Sequence, residues 1–285
     1  KGIKYIYTNN LIFLIILTVA FHCAFVMSYE SIMPIFANKG LNDNTGECPT
    51  CIIVPSDEYP DIQSGIDAAV DGDTVLVEQG IYVENLVLQK NITLTSRAIF
   101  DDLDGWVGYD TAYVILNDNI TGTIIDGSHD INGEGLESTI LITSPNDECV
   151  SPLIFGFTIQ GGSGTVVLVE DSRDGEREIV EMNLGGGFLS LGALPVFNYN
   201  KIINNKGDEG EGSIGAGGGG DQSNGDQIRI SKELQGYDLS STRSDCNGDI
   251  DLSYNLWSDN DADYGNTLGS TDFEGSIDMG SSIFD

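Results

Sequence analysis

Short apolar runs follow one another with almost no loop between them in residues 62–96, the most strongly patterned part of the chain. Asp61 stands in the position of a helix N-cap, and four apolar residues follow it at helical spacing. These are Ile62, Ile66, Ala69 and Val70. Strand-like runs then occupy residues 74–77, 85–88 and 91–95, separated by glycine and asparagine. The pattern predicts a short amphipathic helix followed by three short strands.

Strands this short and this tightly joined are better suited to stacking as successive sides of a coil than to a sandwich. An internal repeat supports this: residues 152–164 align without gaps on residues 195–207, an offset of 43 (195 − 152). We interpret the offset as two coils of about 20 residues each. Glycine runs at 185–187 and 217–220 fall after the repeated segments, where glycine permits tight corners.

The sequence therefore predicts an all-β parallel solenoid. The residues expected to face its interior are Val75, Val77, Ile92, Leu94, Ile154, Phe157, Ile159 and Ile202. A cluster of asparagines at the turns of the second repeat predicts hydrogen-bonded ladders between coils. These are Asn198, Asn200, Asn204 and Asn205.

The helix, the Asp-Gly-Asp turn at 71–73, the first strand and Gly-Ile-Tyr-Val-Glu at 80–84 resemble the start of secreted β-helix proteins of the pectin-lyase-like superfamily. The resemblance covers about residues 52–257. It implies a right-handed parallel β-helix with a short N-terminal capping α-helix. Proteins of diverse function share this opening, so it identifies a scaffold rather than an activity.

Four segments are expected along the chain. Lys1 and Lys4 precede an apolar stretch of 17 residues at 11–27, shorter than the roughly 20 of a membrane span. We interpret residues 1–28 as a signal peptide, with an uncleaved anchor as the alternative. A linker with a Cys-x-x-Cys motif at 29–51, the β-helix domain at 52–257 and an acidic C-terminal extension at 258–285 follow. The chain lacks an initial methionine and stops after a strand-like run, so we expect it to be truncated.

Acidic residues dominate the composition, with 45 Asp and Glu against 12 Lys and Arg and a net charge of −33. This charge repels nucleic acid and anionic membranes. It also opposes an anionic polysaccharide such as pectate unless divalent cations bridge the surfaces. Neutral glycans or cation-mediated contacts are the easier partners, and the alternative is that the charge only keeps the protein soluble.

Four cysteines remain after the expected cleavage, and sequence leaves all three pairings open. They are Cys48, Cys51, Cys149 and Cys246. Because no thioredoxin-like pattern surrounds Cys48 and Cys51, a local structural disulfide is the favoured interpretation of that pair.

No catalytic residue is predicted. The pentapeptide at 80–84 is similar to the first motif of pectin methylesterases, and residues 152–156 resemble their Asp-Phe-Ile-Phe-Gly segment. Pro152, however, stands where their nucleophilic aspartate would be, and proline can neither ionise nor attack. Their Leu-Gly-Arg-Pro-Trp motif and the residue sets of pectate lyases and polygalacturonases are missing from the sequence. His129 is interpreted as a turn residue.

Two kinds of candidate site remain. Trp106 and Tyr109, in an insertion at 97–118, and Tyr254 and Trp257 are candidate platforms for sugar rings, with core or cap positions as the alternative for the last two. Four residues at alternate positions resemble the start of a calcium loop, although the later positions of that motif are not matched. They are Asp245, Asn247, Asp249 and Asp251.

The resulting hypothesis is a secreted or cell-surface, monomeric, non-catalytic protein that binds a polysaccharide or another surface component. It requires no cofactor, and calcium is the candidate ion. After signal cleavage no membrane contact is expected. The alternatives are a carbohydrate-active enzyme, whether pectinesterase-like, lyase or glycoside hydrolase using a carboxylate pair, and a structural stalk of a larger adhesin.

Overall fold

The computed structural model describes residues 47–128, 136–145, 149–171, 178–207, 214–223, 228–230, 237, 246, 248–271, 273 and 275–285. The predicted signal peptide and most of the predicted linker lie outside these residues, as do His129, Asp245 and Asn247. No helix in the described ranges has the length and apolar character that crossing a membrane requires.

Three parallel sheets form the body of the protein, with strands numbered in chain order. Sheet 1 holds β1 (Ile52–Val54), β2 (Thr74–Val77), β5 (Thr93–Ser96), β11 (Leu153–Phe155), β16 (Val196–Asn198), β21 (Ile250–Asp251) and β24 (Ile277–Asp278). Sheet 2 holds β3 (Gly80–Val83), β8 (Thr123–Asp126), β12 (Thr158–Gln160), β17 (Lys201–Ile203), β22 (Leu256–Ser258) and β25 (Ile283–Phe284). Sheet 3 holds β4 (Leu86–Leu88), β10 (Ile140–Thr143), β15 (Phe188–Leu191), β19 (Asp221–Ser223) and β23 (Gly269–Thr271).

The chain visits sheets 1, 2 and 3 in turn and then returns to sheet 1, and we call each such passage a rung. Rungs 1 to 6 begin at β2, β5, β11, β16, β21 and β24. Equivalent positions of successive rungs are 19, 60, 43, 55 and 27 residues apart. The protein is thus all-β with stacked parallel sheets, an arrangement compatible with a β-solenoid.

The register confirms the internal repeat but corrects its length. Leu153 lies opposite Val196 and Thr158 opposite Lys201, so an offset of 43 residues joins hydrogen-bonded neighbours. It is one rung, not two coils of about 20 residues. The rung is long because a β-hairpin, β13 (Gly164–Asp171) and β14 (Glu178–Leu184), is inserted between sheets 2 and 3.

The main apolar core draws on all three sheets, because alternate residues of each strand pack into one cluster. All eight residues predicted to face the interior are buried members of this cluster. Helix α1 (Ile62–Ala68) contributes Ile62 and Ile66, as predicted. Val70, by contrast, lies beyond the helix and is 65% exposed.

Two smaller clusters cover the outside of the sheets. An accessory sheet of β13, β14, β18 (Ile214–Ala216) and β20 (Ile228–Ile230), with β9 (Leu136–Glu137) at its side, packs against the outer residues of sheet 3. The insertion after β5 contains a 3-10 helix (Arg97–Phe100), the hairpin β6 (Val107–Tyr109) and β7 (Tyr113–Ile115), and helix α2 (Asp118–Gly122). It packs on Phe155 and Leu256, at the junction of sheets 1 and 2.

The predicted domain end at residue 257 is too early. Strands β23, β24 and β25 pair in parallel with the strands of the preceding rung. Residues 258–285 therefore contribute to the same three sheets rather than forming a separate acidic extension.

Two disulfides resolve the pairing that sequence left open. Cys48 pairs with Cys51, as the interpretation of a local disulfide predicted. Cys149 pairs with Cys246 across a separation of 97 residues, so a covalent link joins the segment just before rung 3 to the segment just before rung 5.

Charged side chains hold both ends of α1. Asp61 is the N-cap, and the Glu84 carboxylate accepts hydrogen bonds from the backbone N–H groups of Ile62 (3.1 Å) and Gln63 (3.0 Å). At the other end, Lys90 Nζ donates to the carbonyls of Ile66, Asp67 and Ala69 at 2.7–3.0 Å. The glutamate of the pentapeptide thus has a structural role, which is to cap the helix that covers the first rung.

Replacing Lys90 with methionine is expected to lower the free energy of unfolding by about 2 kcal/mol, because three helix carbonyls lose a charged donor while the aliphatic stem is kept. Urea denaturation provides the measurement. Lys201→Met, on the half-buried position of β17, is the matched control. Equal effects of the two substitutions would contradict a capping role.

Candidate functional site

Two tyrosines stack at the corner between sheets 1 and 2. Tyr199 follows β16 and Tyr254 follows β21, so they occupy equivalent positions of rungs 4 and 5. The Tyr199 N–H donates to the Tyr254 carbonyl at 3.0 Å. Their rings are nearly parallel, with centroids 5.1 Å apart and an interplanar angle of 11°. The register of the sheets therefore places one aromatic ring directly beside the next.

Both tyrosines adopt a backbone conformation that their side chains disfavour. Tyr199 has φ 58° and Tyr254 φ 57°, in the left-handed region where Gly156 (φ 80°) stands at the same corner of rung 3. A bulky residue there costs roughly 1–2 kcal/mol relative to glycine. Such strained positions cluster at functional sites, so two in consecutive rungs indicate a reason for keeping the rings.

The insertion after β5 closes one end of this stack. Trp106, directly before β6, meets Tyr199 edge to face, with centroids 5.5 Å apart and an angle of 70°. Phe155 packs at 5.3 Å from the same tyrosine. Trp106 is half-buried and takes part in the cluster under the insertion, so its position is set by packing.

The hairpin β6–β7 extends the aromatic residues outward. Tyr109 and Tyr113 are cross-strand partners with ring centroids 4.9 Å apart, and Tyr109 is 70% exposed. Tyr109 comes three residues after Trp106 along extended backbone, which corresponds to about 10 Å between their Cα atoms. We call these five residues the aromatic surface: Trp106, Tyr109, Tyr113, Tyr199 and Tyr254.

A carboxylate acts on the aromatic surface, and the arginine of the same insertion is paired with a glutamate. Burial raises the pKa of Tyr199, and the neighbouring Tyr254 and the Asp104 carboxylate raise it further, so its phenol keeps its proton at neutral pH. Arg97, at the start of the same insertion, is held by Glu78 in two hydrogen bonds of 2.6 and 2.7 Å. The surface therefore presents ring faces with the Asp104 carboxylate nearby.

The structure places three of the four predicted ligand-binding residues on the aromatic surface and the fourth in the core. Trp106, Tyr109 and Tyr254 belong to the aromatic surface, and Tyr254 is 41% exposed. Trp257 is only 1% exposed, because it faces the core beside Phe188 at 6.4 Å between centroids. Its ring is covered on all sides, so this residue occupies the core position that the sequence left open as the alternative. Trp257 is therefore not part of the candidate site.

The predicted calcium ligands are only partly described, since Asp245 and Asn247 lie outside the described residues. Asp249 accepts a hydrogen bond from the Ser276 hydroxyl, and Asp251 accepts one from the Ser253 N–H at 2.9 Å. Among the residues whose positions are given, no group of three or more His, Cys, Asp or Glu side chains is placed to hold a metal ion.

Sequence reasoning missed Tyr199 and Tyr113. A signal for Tyr199 was present, because Asn-Tyr-Asn at 198–200 and Ser-Tyr-Asn at 253–255 share a tyrosine before an asparagine. In the internal repeat, moreover, Tyr199 aligns with Gly156, a substitution that a tight corner disfavours. Tyr113 carried no comparable signal.

Comparison of the chain with protein-family models, with curated proteins and with solved structures finds no match.

Proposed function

We propose that this chain is a right-handed parallel β-helix of the pectin-lyase-like kind that binds a polysaccharide at the aromatic surface without cleaving it. The observation that carries the proposal is the stacked pair Tyr199 and Tyr254, held on consecutive rungs at a backbone cost. The three stacked parallel sheets and the capping helix support the finer fold assignment.

Aromatic rings suit sugars because the C–H groups on one face of a pyranose pack against a ring face, while hydroxyl groups find acceptors at its edge. The aromatic surface offers both. Tyr109 and Tyr254 present exposed rings, and Asp104 lies close enough to Tyr199 to affect its pKa. The negative charge favours a neutral glycan over a uronate, unless calcium bridges the two.

Binding without cleavage is supported by the residues at the positions that carry chemistry in esterases. Pro152 stands in the place of the nucleophile. Burial raises the pKa of the Asp221 carboxyl to about 7, but this side chain is completely buried and out of reach of a polymer. A general acid needs contact with the scissile bond.

Export to the cell surface or beyond is part of the proposal, supported by two disulfides, which persist in oxidising compartments. In this proposal the protein binds as a monomer and requires no cofactor. The effect of calcium is tested by adding it to the binding experiments.

Native gels containing galactomannan, laminarin or hydroxyethyl cellulose are expected to retard the protein, whereas polygalacturonate without calcium is not. Tyr254→Asn should weaken retention by about fivefold or more, because one stacking face is lost. Asparagine tolerates the left-handed conformation, so the fold should persist. Tyr264→Asn, at another exposed tyrosine, is the matched control.

Trp106→Ala is expected to weaken retention as well, through loss of the ring that supports Tyr199. Equal retention of wild type and Tyr254→Asn would contradict binding at this surface. Methanol or oligosaccharide release from pectin, abolished by changing one acidic residue, would instead identify an enzyme.

A further inference from the structure

The aromatic stack is closed at one end and open at the other. On the side of rung 3, where Gly156 carries no side chain, Trp106 and Phe155 pack against Tyr199. On the side of rung 6, the position equivalent to Tyr254 holds Ser281, which has no ring. Tyr199 therefore has aromatic neighbours on its outer side, whereas Tyr254 has a serine at the equivalent position of the next rung.

Backbone and side-chain bonds establish that Ser281 is the equivalent position. The Tyr254 N–H donates to the Gly280 carbonyl at 3.1 Å, and the Asn255 N–H donates to the Ser282 hydroxyl oxygen at 3.1 Å. Ser281 has φ 58°, matching φ 57° of Tyr254. Both residues are exposed to solvent. Rung 6 thus repeats the corner of rung 5, and among the described residues no aromatic ring occupies the next place of the stack.

We propose that this place is a subsite for one neutral pyranose ring, which stacks on the face of Tyr254 above Ser281 as the third ring of the ladder. This inference rests on the proposed function and specifies where on the aromatic surface one sugar ring binds. Neighbouring rungs are about 4.8 Å apart, and the tyrosine rings are 5.1 Å apart, so one more ring fits at the natural spacing. Ser281 is then the specificity-determining residue, because its small side chain keeps the place open.

The charge near the subsite favours a neutral sugar. Asp278 is exposed and lies three residues before Ser281 on the same rung, where its carboxylate accepts the Gly280 N–H at 2.8 Å. A carboxylate at this place repels a uronate and accepts a hydrogen bond from a sugar hydroxyl. The proposed ligand is accordingly a neutral polysaccharide built of pyranose rings.

The test fills the subsite with the protein's own side chain. In affinity gels with galactomannan, laminarin and hydroxyethyl cellulose, Ser281→Tyr is expected to reduce retention by about tenfold, because a third tyrosine takes the place of the sugar. Ser281→Gly keeps the place open and should bind like wild type. The melting temperature of each variant is measured in parallel, and Ser281→Leu decides the matter if the tyrosine variant does not fold.

Loss of retention in a folded Ser281→Tyr or a folded Ser281→Leu, with retention kept in Ser281→Gly, supports the subsite. Retention by a folded Ser281→Tyr equal to that of wild type overturns the subsite and leaves the proposed function standing. If wild type is retained by none of the three polymers, the proposed function falls and the subsite falls with it.

Discussion

Replacing Asn255 with leucine is expected to lower the free energy of unfolding by about 4 kcal/mol, because a fully buried side chain that joins two rungs loses all its hydrogen bonds. Its amide donates to the carbonyls of Phe197 and Leu252, both at 2.7 Å. Its oxygen accepts from the N–H of Asn200 at 2.9 Å and from that residue's side-chain amide at 3.1 Å. Leucine fills the volume but leaves these groups unsatisfied in the core.

Urea denaturation at neutral pH measures this loss. Asn266→Leu, at an exposed position of the same rung, is the matched control and is expected to change stability by less than about 0.5 kcal/mol. A loss below about 1 kcal/mol for Asn255→Leu would show that the corner can relax and that the asparagine ladder is not a major source of stability.

Asn200 and Asn255 also show why part of this fold was predictable. Their ladder, and a second one of Asn205 and Asn260, satisfies backbone groups at two corners of the rungs. Buried amides of this kind appear in the sequence as asparagines next to apolar runs. The alternation of apolar residues likewise predicted the interior side chains, since each short strand has one face toward the core.

The lengths of the rungs could not be read from the sequence. Insertions between strands do not change the register of the sheets, so the 43-residue repeat was equally consistent with one rung or two. Apolar and polar residues alternate in the hairpin β13–β14 as they do in other strands. Only its antiparallel pairing, which the sequence does not reveal, distinguishes it from the strands of another rung. Which residues pack on the outside of a sheet is a tertiary property that local periodicity does not carry.

The candidate site, like the fold, was predictable from the sequence only in part. The sequence predicts Trp106, Tyr109 and Tyr254 as candidate platforms for sugar rings, but the partnership of Tyr199 with Tyr254 depends on register across 55 residues of chain. Trp257 has the same residue type as Trp106 and lies in the core. Composition identifies residues capable of binding a sugar, whereas the sheet register decides which of them meet at the surface.

Asp221 is an acidic residue in the protein interior, where burial disfavours the charged carboxylate. It lies on β19 beside Leu189, which packs under the accessory sheet, and its side chain is completely buried. Burial raises the pKa of Asp221 to about 7, while a hydrogen bond from the Ser223 hydroxyl acts in the opposite direction. Within the part of the chain that the structure describes, its second oxygen, Oδ2, has no hydrogen-bond partner. The folded protein therefore holds this proton up to a higher pH than the unfolded chain does.

Stability is expected to fall as pH rises through the interval between the pKa of the unfolded chain, about 3.9, and the raised pKa of the folded protein. Within that interval the folded state holds a proton that the unfolded state has lost, so unfolding becomes easier by about 1.4 kcal/mol per pH unit and roughly 4 kcal/mol in all. Above the folded pKa this contribution is constant.

Asp221→Asn removes the titration, because the amide stays neutral in both states. The variant is therefore expected to match wild type near pH 4 and to exceed it by up to about 4 kcal/mol near pH 8, as measured by urea denaturation across that range. Asp278→Asn, at an exposed position, serves as the control and should leave the difference between the two pH values unchanged. Parallel pH profiles for wild type and Asp221→Asn would mean that the carboxylate reaches solvent or a cation in the folded protein. The accessory sheet would then be a less complete cover of sheet 3 than its packing indicates.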